Sequence, residues 1–165
     1  MSLPLNDVSP LQLGTEGVYQ GKHFTLIGRV KKKWSDGYWN EWYAWFDSGE
    51  AGWIAEAQGF YSICFEVAHE DSILKITNLR PGQLYSFLEI DFYVADIKKN
   101  HIEFAEGELP YVGRAGVDSV SIDLNADVNQ FACIDQSEAK TVFYRGFYLT
   151  FPEFKFQRLR EIEGW

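Results

Sequence analysis

The 165-residue sequence has few of the residues that mark several common classes of protein. It contains two cysteines, Cys64 and Cys133, which lie far apart and in no Cys-x-x-Cys spacing. This pattern argues against a zinc site or a disulfide and predicts free thiols in a reducing cytoplasm. No apolar run approaches the roughly 20 residues that a membrane span needs, and residues 1–10 lack the features of a secretion signal. We therefore expect a cytoplasmic protein with no membrane insertion.

Positive charge is also scarce. Lys and Arg number 15 against 24 Asp and Glu, which gives a net charge of −9. Such a surface repels phosphate backbones and anionic lipid head groups, so nucleic acid is not an expected partner. The one basic run, residues 31–33 with Arg29 before it, is predicted to be a solvated strand end.

Helical periodicity is missing as well. No window of helical length carries a sustained apolar stripe, so little helix is expected. Apolar and polar residues alternate instead, for example at 61–67, 89–94 and 119–124, and glycine-containing turns separate these segments. Alternation of this kind is typical of half-buried antiparallel strands, and an aromatic content of 17% also favours strands. The sequence therefore predicts an all-β protein.

An internal repeat organises the chain. Four residues of segment 43–51 recur identically 88 positions later, among them Asp47 with Asp135 and Glu50 with Glu138. We interpret the chain as a single domain, 1–165, built from two similar antiparallel units, 11–67 and 79–157, rolled as barrels or a sandwich, with one large barrel as the alternative. Because the acidic pairs recur at the same place, we interpret them as caps of hairpin turns rather than as catalytic carboxylates.

Tryptophan is concentrated in the first unit, where five of the six Trp fall within residues 34–53. Both parities of segment 41–46 carry large rings, so both faces of this strand must be covered. The cover could be the core or the second unit, a second copy of the chain, or a stacked ligand such as a sugar ring. The candidate binding residues here are Trp39, Trp42, Tyr43, Trp45 and Trp53.

The second unit contains an insert at about residues 98–117 that has no counterpart in the first. His101, Glu106 and Glu108 are its candidate binding residues, and Glu103 and Arg114 lie beside them. A histidine among carboxylates could hold a metal or act as acid and base, although such a group is more often solvated surface. We assign no catalytic residue, metal or cofactor from the sequence, because no nucleophile elbow or phosphate-binding loop is present.

An ordered series of short motifs runs along the chain: Leu13-Gly14-Thr15-Glu16-Gly17, Gly28-Arg29-Val30, Trp39-Asn40-Glu41-Trp42-Tyr43, Gly52-Trp53-Ile54-x-Glu56, Gly107-Glu108-Leu109-Pro110 and Phe143-Tyr144-x-Gly146. Over residues 11–157 the series resembles the bacterial domain-of-unknown-function family 4178. The resemblance implies a cytoplasmic accessory protein without an established activity. Some members of the family are encoded beside polyamine-synthesis and membrane-stress genes, which suggests a link to polyamines.

These observations lead to two functional hypotheses. The first is a β-rich binding module without a catalytic site, whose partner is an unknown protein, a small cationic or sugar ligand, or a second copy in a homodimer. The second is a small metal-dependent hydrolase that uses the acidic insert 98–117.

Overall fold

Antiparallel strands make up most of the structure, a computed structural model that describes residues 9–113, 115–138 and 140–161. The ten strands within these residues are β1 (Glu16–Tyr19), β2 (Lys22–Trp34), β3 (Gly37–Phe46), β4 (Ala51–Ala57), β5 (Phe60–Val67), β6 (Leu84–Phe87), β7 (Ile90–Gly107), β8 (Asp118–Asn125), β9 (Gln130–Gln136) and β10 (Thr141–Leu149). One short helix, α1 (Ile73–Thr77), precedes β6, and a 3-10 helix (Phe151–Phe154) follows β10. The all-β prediction with little helix is confirmed.

Eight of the strands close into one barrel. Strands β2 to β5 and strands β7 to β10 each form a meander of antiparallel neighbours. The two meanders are joined at two junctions, where β5 pairs with β10 and β2 pairs with β7. The arrangement is therefore the single barrel that the sequence left as an alternative. Strands β1 and β6 lie outside this ring, each paired to one barrel strand.

The two halves of the chain follow the same plan. Each half supplies one short outer strand and then four barrel strands. The second strand of one half pairs with the second strand of the other (β2 with β7), and the fifth pairs with the fifth (β5 with β10). This topology gives the strands of the two halves a twofold arrangement, whereas the predicted units, 11–67 and 79–157, stay a prediction. The common origin of the units stays a prediction.

Glycines allow the paired strands to approach each other closely at both junctions. A Cβ added to Gly28 on β2 would lie 2.0 Å from the carbonyl oxygen of Glu108, and one added to Gly146 on β10 would lie 1.8 Å from that of Ile63. Both distances are far below van der Waals contact, so these positions have room only for glycine.

Buried side chains form three clusters because alternate residues of each barrel strand face opposite ways. The first lies outside β2–β5, where Leu11 and Phe154 from the two terminal segments cover it. The second lies outside β7–β10 and is covered by Ile76 of α1 and Tyr85 of β6. The third draws on strands all around the ring and so fills the barrel interior: Val30, Trp53, Cys64, Ile102 and Phe131.

Candidate functional site

A buried lysine lies in the barrel interior. Lys32 is only 5% exposed, and its Nζ lies 3.4 Å from Glu41 Oε1 and 3.6 Å from Asp135 Oδ2. The prediction of a solvated basic run is therefore wrong for this residue. Its neighbours Lys31 and Lys33 face outward, where both ammonium groups lie over the Tyr38 ring at 4.5 and 5.4 Å.

The carboxylate of Asp135 is part of a hydrogen-bonded network. Asp135 belongs to β9, so the interpretation of this residue as a turn cap is wrong. Its Oδ1 accepts a hydrogen bond of 2.6 Å from Ser121 Oγ, which in turn accepts one from Asn100 Nδ2 at 3.0 Å. Asp47, its partner in the repeat, does follow the end of β3 and lies 2.9 Å from His23.

A second ion pair lies on the same inner face. Lys98 Nζ is 3.1 Å from Asp123 Oδ2 and packs over the rings of Trp34 and Trp39 at 5.1 and 5.5 Å. Trp39 also donates a hydrogen bond of 2.8 Å from its indole nitrogen to Glu41. The predicted binding residue Trp39 therefore contacts both the ammonium of Lys98 and the carboxylate of Glu41.

Burial and pairing shift the pKa values of these groups. Burial raises the pKa of Glu41, and the Lys32 ammonium only partly offsets this effect. Burial acts to lower the pKa of Lys32, but the carboxylates of Glu41 and Asp135 reverse this, so that its pKa is raised and the ammonium stays charged. Burial also raises the pKa of Asp123.

Aromatic rings and thiols surround the ion pairs. Trp53 lies between Tyr43 and Tyr111, with ring centroids 4.9 and 6.0 Å away. Both cysteines are free, as predicted, and Cys64 and Cys133 both contribute to the interior. Burial raises both thiol pKa values, which keeps the sulfur atoms neutral and argues against a cysteine nucleophile.

An open pocket lies beside the interior, at the end of β7. It has a volume of about 440 Å³ and is lined by Ala105, Glu106, Gly107, Glu108, Leu109, Tyr111 and Gly113. Ala105, Leu109 and Tyr111 also pack against the interior cluster. The same three side chains therefore separate the pocket from the barrel centre.

The structure distributes the predicted aromatic residues over both faces of the wall. Trp42 is 1% exposed, faces the terminal segments and donates a hydrogen bond to Glu56, whereas Tyr43 and Trp53 face the interior. Both faces of β3 are thus covered within the chain at these positions. Trp45 is 44% exposed, and its contact with a partner stays a prediction.

The structure places the predicted histidine beside one of the predicted carboxylates and the others elsewhere. His101 Nε2 lies 3.0 Å from Glu103, whereas Glu106 lies 3.7 Å from Arg29 and lines the pocket with Glu108. Arg114 lies outside the described residues. Across the part of the chain that is described, no three His, Cys, Asp or Glu side chains are grouped as a metal would require, so the hydrolase hypothesis gains no support.

Four residues of the barrel interior were not predicted from the sequence as site residues: Lys32, Glu41, Asp135 and Tyr111. One signal was available, because Lys32 has the same strand parity as Val30 and Gly28 and so faces inward with them. The position of Asp135 opposite this lysine depends on closure of the barrel, which leaves no local pattern.

These features define a closed antiparallel β-barrel with a charged and aromatic interior. The chain matches the family described as "Domain of unknown function (DUF4178)" over residues 12–151 and belongs to that family. No curated protein and no solved structure matches the chain. Within residues 9–113, 115–138 and 140–161, neither helix has the length and hydrophobicity that a bilayer crossing requires.

Proposed function

We propose that this protein is a cytoplasmic, non-catalytic binding module that takes a small organic cation in the pocket beside β7. The observation that carries the proposal is the pocket itself, whose lining residues include the acidic Glu106 and Glu108 and the aromatic Tyr111. Carboxylates attract an ammonium group, and an aromatic face adds a cation–π contact. A net charge of −9 further favours cationic ligands over anionic ones.

The ligand class we favour is a polyamine or a related amine. Such a ligand suits the two acidic residues of the pocket and agrees with the gene neighbourhoods that the family resemblance implies. Glu108 is the better placed of the two for binding, because Glu106 already faces the guanidinium of Arg29 at 3.7 Å.

Isothermal titration of the purified protein with putrescine and spermidine tests the proposal. We expect saturable binding that Glu108→Gln weakens about tenfold, because one charged contact is lost. Glu103→Gln is the matched control, since Glu103 pairs with His101 and does not line the pocket. Absence of saturable binding, or equal affinity of the Glu108 variant and wild type, would refute the proposal.

A further inference from the structure

The outer strand β6 ends in a tight hairpin that fixes which way its backbone groups point. Residues 88–89 form the two-residue turn to β7, and their φ angles are both positive, 51° and 63°. Such a turn closes on a hydrogen-bonded pair, here Phe87 with Ile90, and hydrogen-bonded pairs alternate with non-bonded ones along an antiparallel ladder. Leu84 and Ser86 occupy the alternate positions and therefore direct their N–H and C=O groups away from β7.

Strand β1 shows what such an edge binds. It joins β2 through an equivalent turn at residues 20–21, with φ of 50° and 74°. The same alternation leaves Glu16 pointing outward, where its N–H donates to the C=O of Gln157 at 3.0 Å and its C=O accepts from the N–H of Gln157 at 2.8 Å. The outward edge of an outer strand in this fold therefore accepts a further backbone segment.

The corresponding edge of β6 is apolar. Leu84 is the first residue of β6 as Glu16 is the first of β1. Leu84 pairs with Tyr93, whereas Glu16 pairs with Thr25. Leu84 is 50% exposed and Tyr93 is 59% exposed, and among the strands that the structure describes only β7 pairs with β6. An exposed apolar pair beside an outward strand edge is a feature of interfaces.

Further apolar side chains are exposed on the other face of β6. Tyr85 points to the face opposite Leu84, because successive side chains of a strand alternate. Helix α1 lies on that face, where Lys75 Nζ is 5.2 Å from the centre of the Tyr85 ring. Ile73 and Leu74 of α1 are exposed. The outward edge of β6 thus has exposed apolar side chains on both sides.

A second copy of β6 suits this edge. Two β6 strands related by a twofold axis at Tyr85 run antiparallel, and Leu84 of each copy then pairs with Ser86 of the other. Every outward N–H and C=O of these two residues gains a partner in this way. The same pairing places exposed Arg80, which precedes β6, at the end of the copy's strand where exposed Glu89 lies. The charges at the two ends of the strand are therefore complementary between copies.

We propose that this protein forms a homodimer in which β6 pairs with β6 of a second copy, so that the two chains share one continuous sheet at this edge. The exposed apolar side chains of α1 and of the β6–β7 pair cover the joined edges from both faces. The dimer goes beyond the proposed function and does not depend on it, because β6 pairs with the first residues of β7 and the amine pocket lies at the last ones.

Sedimentation velocity over about a hundredfold range of protein concentration tests the dimer. We expect wild type to reach twice the mass of one chain. Ser86→Pro removes an outward N–H and should raise the dimer dissociation constant at least about tenfold. Ser86→Ala is the matched control, because it loses the same hydroxyl and its hydrogen bond to Asp91 but keeps the N–H, and it should dimerise like wild type.

A second variant covers the case in which Ser86→Pro does not fold. Leu84→Lys changes an exposed side chain and should also weaken the dimer about tenfold, because a lysine on an edge strand opposes pairing with another strand. Phe60→Lys is its control, since Phe60 is exposed at the start of β5, in the other half of the chain. This control should dimerise like wild type.

Hydrogen exchange locates the interface without any substitution. The amide protons of Leu84 and Ser86 should exchange more slowly as concentration rises, whereas that of Tyr85, which already bonds to β7, should not change. Exchange at Ser86 that does not depend on concentration would overturn the proposal. So would a wild type that stays monomeric over the whole range, or folded Ser86→Pro and Leu84→Lys proteins that dimerise like their controls.

Discussion

At the scale of single residues, one carboxylate links the barrel wall to Ser9, which precedes the first strand. Glu56 is buried on the outer side of β4, and its oxygens accept hydrogen bonds from four side chains: Ser9 (2.9 Å), Asn40 (3.1 Å), Trp42 (3.2 Å) and Tyr61 (3.0 Å). Removal of this acceptor leaves buried donors without partners, which costs more than the bonds themselves contribute.

We therefore predict that Glu56→Ala lowers the free energy of unfolding by about 3–5 kcal/mol and Glu56→Gln by about 1–3 kcal/mol. Urea unfolding followed by circular dichroism measures both. Glu66→Gln, an exposed carboxylate on β5, should stay within about 0.5 kcal/mol of wild type. A Glu56→Ala protein as stable as the Glu66 variant would show that the four hydrogen bonds contribute little.

A second residue-scale prediction concerns the junction between β5 and β10. A Cβ at Gly146 would overlap the Ile63 carbonyl oxygen at 1.8 Å, which is a backbone atom that cannot rotate away as a side chain could. We expect Gly146→Ala to separate the strands and to destabilise the protein by about 3 kcal/mol or more, or to prevent folding. Gly59→Ala in the β4–β5 turn meets open space and adds only the strain of a positive φ, about 1 kcal/mol. Similar melting temperatures for the two variants would contradict this account.

At the scale of elements, one histidine holds the outer strand β1 against the barrel. The ring nitrogens of His23 on β2 lie 2.9 Å from Asp47 and 2.9 Å from Glu16 of β1. The hydrogen bond with Asp47 is the main cause that raises the pKa of His23, burial opposes this rise, and Glu16 adds to it.

This shift makes a small part of the stability depend on pH. Because the folded pKa lies above the unfolded value of about 6.5, the contribution is complete below that pH and disappears as pH rises through the folded pKa. We predict that His23→Gln is less stable than wild type by at most about 0.5 kcal/mol near pH 5.5, since the side chain is 40% exposed and water screens it. The difference should vanish above about pH 8 in urea unfolding. In an Asp47→Asn background it should be smaller near pH 5.5, and a difference that grows with pH would contradict the assignment.

The elements were easier to predict than their arrangement. Alternation identified the strands β5, β7 and β8. One face of each strand packs into a buried cluster on the outside of the barrel, and the other face points the opposite way. The same rule showed that both faces of β3 must be covered around Trp42 and Tyr43. It could not show which cover each face has, since Leu11 and Phe154 come from the two ends of the chain and meet β3 only in the folded state.

The candidate site was harder still to predict, for a related reason. Lys32 stands between two other lysines in the sequence, and this run resembles a solvated strand end until its partners are known. Those partners are Glu41 on β3 and Asp135 on β9, the second of which is 103 positions away and meets Lys32 only across the closed barrel. A polar interior of this kind depends on ring closure and leaves little trace in the local pattern.

At the scale of the whole molecule, neither half of the chain can provide hydrogen-bonding partners for both of its own edge strands. Fragment 1–70 contains β1 to β5, so β2 lacks its partner β7 and β5 lacks its partner β10. Exposed edges of this length pair with any strand that fits them. In the intact chain each edge strand of one half pairs with its counterpart in the other half, β2 with β7 and β5 with β10. In a second copy of fragment 1–70, the best substitutes for these partners are β2 and β5 themselves. Two fragments paired in this way would close a ring of eight strands.

We therefore predict that fragment 1–70 does not exist as a folded monomer but forms a dimer, and that adding fragment 71–165 in equal amount converts it to a one-to-one complex with the circular dichroism spectrum of the intact chain. Size-exclusion chromatography with light scattering gives the masses, and the full chain is the reference. The expectation rests on backbone pairing at the β2–β7 and β5–β10 junctions, so Gly146→Ala in the second fragment should weaken the complex because it obstructs the approach to Ile63. A folded monomer of either fragment would mean that a half carries its own closed core, and the twofold arrangement of the barrel would then need a different explanation.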